Sequence, residues 1–135
     1  MRVVFDTNVL VSALLFERST PARAFFFAIE HGDVLISVDL INEIQRVLYR
    51  SKFDRYLTDT QREDFMLAFV ERGTLVEITQ TIHACRDPKD NLILELAVDG
   101  AADVIVTGDS DLLTLNPFEG IAILTPQTFV FIHSA

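Results

Sequence analysis

Cysteine is almost missing from this chain: Cys85 is the only one in 135 residues. A single thiol excludes an intramolecular disulfide and a cysteine-based zinc site, and it fits a reducing compartment. Cys85 itself reads as a small filler residue near a loop. No apolar run approaches the roughly 18 residues that span a bilayer, and Asp6 interrupts the apolar N-terminus where a signal peptide needs an unbroken stretch. The expectation is a cytoplasmic protein without membrane contact. There is no HExxH pair and no Gly-rich phosphate loop, and His31, His83 and His133 are scattered without metal-ligand spacing, so structural roles are assigned to them. Low-complexity segments and internal repeats are absent. Cations are scarce as well: 11 Lys and Arg face 20 Asp and Glu, a net charge of -9. Broad electrostatic attraction to nucleic acid is therefore excluded. A polyanionic ligand would need bound divalent cations, a basic partner protein or a local basic strip.

Half of the residues are hydrophobic and 23% are charged. That balance and this length predict one globular domain, residues 1–135, folded throughout. Residues 2–5 form a β-branched and aromatic run that ends at Asp6, and the apolar stretch 9–16 reads as a helix. A second helix is predicted from Pro21, capped by Ser19 or Thr20 and stopped by Gly32. Its Phe25, Phe26 and Phe27 cannot all face one core, so an aromatic surface is expected that a second subunit, giving a homodimer, or a partner protein covers. Residues 34–37 read as a buried strand, and Asp39 as the N-cap of a helix carrying Leu40, Ile44, Val47 and Leu48. A further helix is predicted at about 60–72, a third strand at 75–78, and then a polar loop through Arg86, Asp87 and Pro88. Asp90 opens a helix that is apolar on nearly every side from 92 to 98 and stops at Gly100. Residues 104–106 are a central strand, 107–111 the turn at its end, 121–124 a last strand and 125–132 a terminal amphipathic helix. Strands alternating with helices predict an α/β fold, a three-layer α/β/α sandwich around a mainly parallel sheet.

Open parallel sheets bind ligands beyond the carboxyl ends of their strands, at a switch in strand order. Asp6 and Asp109 each directly follow an uncharged strand, so their carboxylates converge if those strands are neighbours, and Asp111 joins them. Asp90 either caps its helix or points into the same cleft. Glu43 follows Leu40 by three residues and precedes Val47 by four, which leaves it either flanking the core or solvated. Two like charges about 4 Å apart repel by roughly 4 kcal/mol at an effective dielectric near 20. Clustered carboxylates thus need raised pKa values or a cation, and oxygen donors without Cys or His favour Mg2+ or Mn2+ over zinc.

The order of these residues resembles a known family. Asp6-Thr7-Asn8 closes the first strand, Glu43 sits on an early helix, Asp90-Asn91 opens a later one, and Thr107-Gly108-Asp109-Ser110-Asp111 follows the central strand. The likeness runs from Val3-Val4-Phe5-Asp6-Thr7-Asn8-Val9-Leu10 through Asp87-Pro88-Lys89-Asp90-Asn91 to Thr125-Pro126. This pattern resembles the PIN domain, and within it the toxin components of bacterial and archaeal toxin–antitoxin pairs, the VapC group included. The resemblance implies RNA cleavage, an RNA substrate and an antitoxin partner. It also implies a metal-binding quartet of Asp6, Glu43, Asp90 and Asp109, an auxiliary acid at Asp111, and carboxylate-aiming partners at Asn8 and Thr107.

On that reading the chain is an endoribonuclease in which two ions about 3.5–4 Å apart assist hydrolysis. Arg46 and Arg50, three and seven residues after Glu43, fall on one stripe with it, and Lys52 and Arg55 lie just beyond. This is either a strip that contacts RNA phosphates or a Glu43–Arg46 ion pair on a solvated face. Two other functions fit parts of the pattern. A haloacid-dehalogenase-like phosphatase would use Asp6, Ser37 and the acidic loop 108–111, but Asn8 stands where that chemistry needs a second Asp to carry a proton. A non-catalytic, metal-stabilised partner-binding module of receiver type would want paired acids after the first strand and a Lys after the last, whereas Lys52 and Lys89 are the only lysines.

Overall fold

The computed structural model describes residues 1–133; Ser134 and Ala135, within the 1–135 domain expected above, lie outside the described residues. Five short strands form the sheet: β1 (Arg2–Phe5), β2 (Asp33–Ile36), β3 (Thr74–Leu75), β4 (Val104–Val106) and β5 (Ala122–Leu124). Their order is β3-β2-β1-β4-β5 and every pairing is parallel. Val3, Val4, Phe5, Ile105 and Val106 are all fully buried, as strands covered on both faces require. The helices are α1 (Thr7–Leu15), α2 (Thr20–His31), α3 (Val38–Leu48), α4 (Asp59–Arg72), α5 (Pro88–Asp99), α6 (Ser110–Leu113) and α7 (Pro126–His133), with a 3-10 turn at Ser51–Phe53.

Neighbouring residues of β2 show the two covering layers. Ile36 packs against Gly73 at the end of α4, and Leu35 packs against Gly100 at the end of α5. A Cβ at either glycine would come within 2.6 Å of those side chains, so the approach of helix to sheet depends on having none. Phe5 makes edge-to-face contacts with Phe25 of α2 at 5.5 Å and Phe129 of α7 at 6.3 Å. Phe25 in turn meets Phe69 of α4 at 6.5 Å, so α2, α4 and α7 share one face and α5 covers the other. This is the predicted three-layer sandwich. Because β1 has β2 on one side and β4 on the other, the strand order switches between β1 and β4.

Several local expectations need correction. Ser37, not Asp39, caps α3: its hydroxyl accepts from the Leu40 N–H at 3.1 Å, and Asp39 lies in the first turn. Asp87, not Asp90, caps α5, with Pro88 in the first turn where its missing N–H costs nothing. The third strand is only Thr74–Leu75, extended by the Val76 N–H donating to the Ile36 carbonyl at 2.8 Å. Beyond it a stripe of α5 draws the chain away from the sheet. Asp99 accepts from the Thr79 N–H at 2.6 Å, Glu95 from the Ile82 N–H at 2.8 Å, and Asn91 bonds both the N–H and the carbonyl of Cys85 at 2.8 and 3.1 Å. These acceptors, spaced four residues apart, replace a strand ladder. The turn after β4 contains α6, capped by Asp109 through the Asp111 N–H at 3.1 Å. Of the three consecutive phenylalanines, Phe25 is buried, Phe26 is 51% exposed, and Phe27 packs on Phe129, His31 and His133.

Candidate functional site

The switch in strand order places the ends of β1 and β4 side by side. Asp6 follows β1 and is 7% exposed, its backbone N–H donating to the Val106 carbonyl at 3.0 Å. One fully buried hydroxyl holds the junction: Thr107 Oγ1 donates to Asp6 Oδ2 at 2.6 Å and accepts from the Asp109 N–H at 3.0 Å. Asp6 Oδ1 accepts from Asn8 at 3.3 Å, and the donor is the Asn8 backbone N–H rather than its side-chain amide. The ends of both strands are thus tied through Asp6 and Thr107 before any ligand is considered.

Asp90, in the first turn of α5, is 8% exposed. One carboxylate oxygen from each of Asp90, Asp109 and Asp111 lies within 4.8 Å of the others. This trio is not the one centred on Asp6; Asp6 lines with two of its members, Asp90 and Asp109, a cleft of about 350 Å³ that also takes in Glu43 and Arg50. Glu43 turns inward from α3, and its carboxylate is bound by Arg46 Nη2 at 2.9 Å and approached by Lys89 Nζ at 3.8 Å. Arg46 is therefore engaged with Glu43. Arg50 reaches the cleft, yet not along the helical stripe expected, because α3 ends at Leu48. Asp111 is gripped from outside by Arg86, whose Nη2 lies 3.0 and 3.1 Å from its two oxygens.

Crowding of acids shows in their protonation. Burial first, then a hydrogen bond with Asp109 and the charges of Asp109, Asp6 and Asp87, push the Asp90 carboxyl up to about 7. Burial raises Asp6 as well, against the opposing pull of its bonds from Thr107 and Asn8. Without a cation, part of this cluster holds protons at neutral pH. Its donors are all oxygens, the set that hard divalent cations select, and opposite ligands of an octahedral Mg2+ are about 4 Å apart, so the spacing of the trio suits one ion. A wider groove of about 600 Å³ between α1, α2 and α4, lined by Leu14, Phe25, Phe26 and Phe65, has no such cluster.

The sequence reading missed three contributors: Asp87 and Lys89, which line the cleft, and Arg86, which holds Asp111. The signal was the Pro88 that starts α5, since a residue before a first-turn proline is placed to cap the helix and bring its neighbours to the same mouth.

Residues 2–111 match the family model of the PIN domain. An uncharacterised protein of Methanocaldococcus jannaschii is 30% identical over 117 residues, covering 85% of this chain and 75% of that one. Two solved structures share the fold. PAE2754 from Pyrobaculum aerophilum superposes with a TM-score of 0.64 at 16% identity, covering 99% of this chain and 90% of the other. VapBC2 from Rickettsia felis, solved bound to a DNA fragment from its promoter, gives a TM-score of 0.62 at 14% identity, with 91% and 97% covered.

Proposed function

Because this chain belongs to the PIN-domain family, we propose that it is an endoribonuclease that hydrolyses RNA phosphodiester bonds with Mg2+ or Mn2+ held by the acids of its cleft. The observation that carries this reading is the meeting of Asp90, Asp109 and Asp111 within 4.8 Å beside the buried Asp6, at the switch between β1 and β4. In this reading Asp6, Asp90 and Asp109 are the principal metal ligands, with Glu43 and Asp111 at the margins. A bound cation would lower the pKa of a water and neutralise charge building on the phosphate.

The chain's own groups prepare that event. Thr107 fixes Asp6 and Asp109 relative to each other, so the two acids need no reorganisation when they are engaged. Asp90 would hold such a cation as a carboxylate, released from the proton that its neighbours otherwise favour. Arg50 and Lys89 offer the positive charge that a phosphodiester needs in a chain of net charge -9, and Glu43, between Arg46 and Lys89, is placed to orient a water.

Incubating the protein with single-stranded and structured RNA in Mg2+, Mn2+ or chelator tests the proposal. Cleavage should require the divalent ion. Asp6→Asn should fold normally and lose about 100-fold or more of it, because an anionic ligand becomes a neutral one of equal shape; full activity in that variant would refute the assignment.

A toxin role with a cognate antitoxin, a homodimer and a cytoplasmic location belong to the same proposal. The partner assignment is supported by the apolar groove at Phe25 and Phe26 and by the VapBC2 structural likeness. Among the described residues no helix is long and apolar enough to cross a membrane. Light scattering at micromolar concentration, showing a dimer or only monomer, decides the oligomer.

A further inference from the structure

Asp6, Asn8 and Asp109 line a second cleft besides the one described above, of about 370 Å³. The two leave the shared acids toward different neighbours. The first runs to Glu43 and Val47 of α3, to Arg50 just past its end, and to Lys89 of α5; the second runs to the first turns of α2 and α7 and is walled by Val9, Ser12, Pro21, Gly108 and Pro126. Apart from the shared acids, nothing ionisable lines this second cleft. It is concave and mainly apolar, with the half-buried Ser12 hydroxyl and the Asn8 side-chain amide as its neutral polar groups. That is the make-up of a small-molecule seat.

Gly108 strengthens the case. A Cβ built there meets nothing within 4 Å, and its backbone is not in the left-handed region. Neither packing nor conformation requires glycine at this position, and any side chain would stand in the open space beside Asp109.

A phosphodiester placed over Asp6 and Asp109 has two ester arms, and the two clefts give each arm a direction. We propose that the second cleft seats the nucleoside on one side of the scissile phosphate, its base and ribose against Val9, Pro21 and Pro126 and a polar edge on Ser12. The strand then enters over Arg50 and Lys89 and leaves across Gly108. This rests on the ribonuclease reading above and adds a base-recognising subsite to it.

The test uses a single-stranded RNA oligonucleotide and a series in which one nucleotide at a time is abasic, with Mn2+. Wild type should lose cleavage at a given bond about tenfold when the nucleotide on one defined side of that bond lacks its base, and not when its counterpart on the other side does. Gly108→Leu, which fills the cleft, should lower cleavage of the full oligonucleotide about tenfold and abolish the difference between intact and abasic strands. Ser12→Ala should weaken the preference among bases by a few-fold. Calorimetric Mn2+ affinity is measured in each variant, and should Leu weaken it, Gly108→Ser and Ser12→Ala decide instead. If wild type cleaves abasic and intact strands alike, or the variants keep the wild-type preference, the subsite is refuted while the nuclease stands. If wild type binds Mn2+ yet cuts no RNA, the nuclease reading falls and the subsite with it.

Discussion

Replacing Asp90 with Asn should stabilise the metal-free protein, and by an amount that grows with pH. An unfolded chain releases the Asp90 proton near 3.8, whereas the folded chain holds it to about 7 because burial and the facing acids oppose the charge. The folded state therefore binds the proton more tightly, and its stability falls as pH rises from about 4 to 7, with the full loss present above 7. Three pH units at 1.36 kcal/mol each set a ceiling of about 4 kcal/mol. The carboxylate looks onto an open cleft whose water screens its neighbours, which brings the expected effect down to about 1–2 kcal/mol. An amide of the same shape carries no charge at any pH and removes the penalty. In chelator at pH 8, Asp90→Asn should melt about 3–6 °C above wild type, and near pH 4 the two should nearly coincide. Saturating Mn2+ should reverse the order at pH 8, since wild type gains binding free energy that the variant lacks. A melting difference independent of pH, or a variant less stable than wild type at pH 8 without metal, would refute the reasoning.

Thr107→Val deletes the buried donor to Asp6 and the acceptor for the part-buried Asp109 N–H; a loss of about 2–3 kcal/mol in urea unfolding and a fall in Mn2+ affinity are expected, with Thr107→Ser restoring most of both. Asn91→Leu breaks the two bonds to the Cys85 backbone, and hydrogen exchange should accelerate through 82–86 with a stability loss of about 1–2 kcal/mol.

The strands were legible because buried parallel strands are continuous apolar runs, and the convergence of Asp6 and Asp109 followed from their places directly after two of them. What remained hidden depends on side-chain reach. Ser37 displaced Asp39 as cap because the strand ended one residue earlier than the apolar run suggested, leaving the hydroxyl in range of the Leu40 N–H. Residues 76–78 read as strand, yet the ladder ends at the Val76 N–H and the chain just beyond, from Thr79 to Cys85, bonds to a helix that lies later in the chain, an exchange that alternation within 75–78 does not encode. Glu43 could face the core or water by spacing alone; the choice fell inward because Arg46 and Lys89 meet it there. Arg50 left the expected stripe because the helix that defines the stripe stops first.

The strand order has one further effect, on when the acids meet. As the polypeptide leaves the ribosome, β1, β2 and β3 are available to pair well before β4 exists, although β4 is the strand that lies directly against β1. Asp6 is thus made well before the Thr107 hydroxyl that holds it, which is synthesised 101 residues later, and before the Asp109 carboxylate just beyond. A product that stops before β4 carries Asp6, Glu43 and Asp90 without Thr107, Asp109 and Asp111, so the centre is assembled only once β4 and the turn after it have been made.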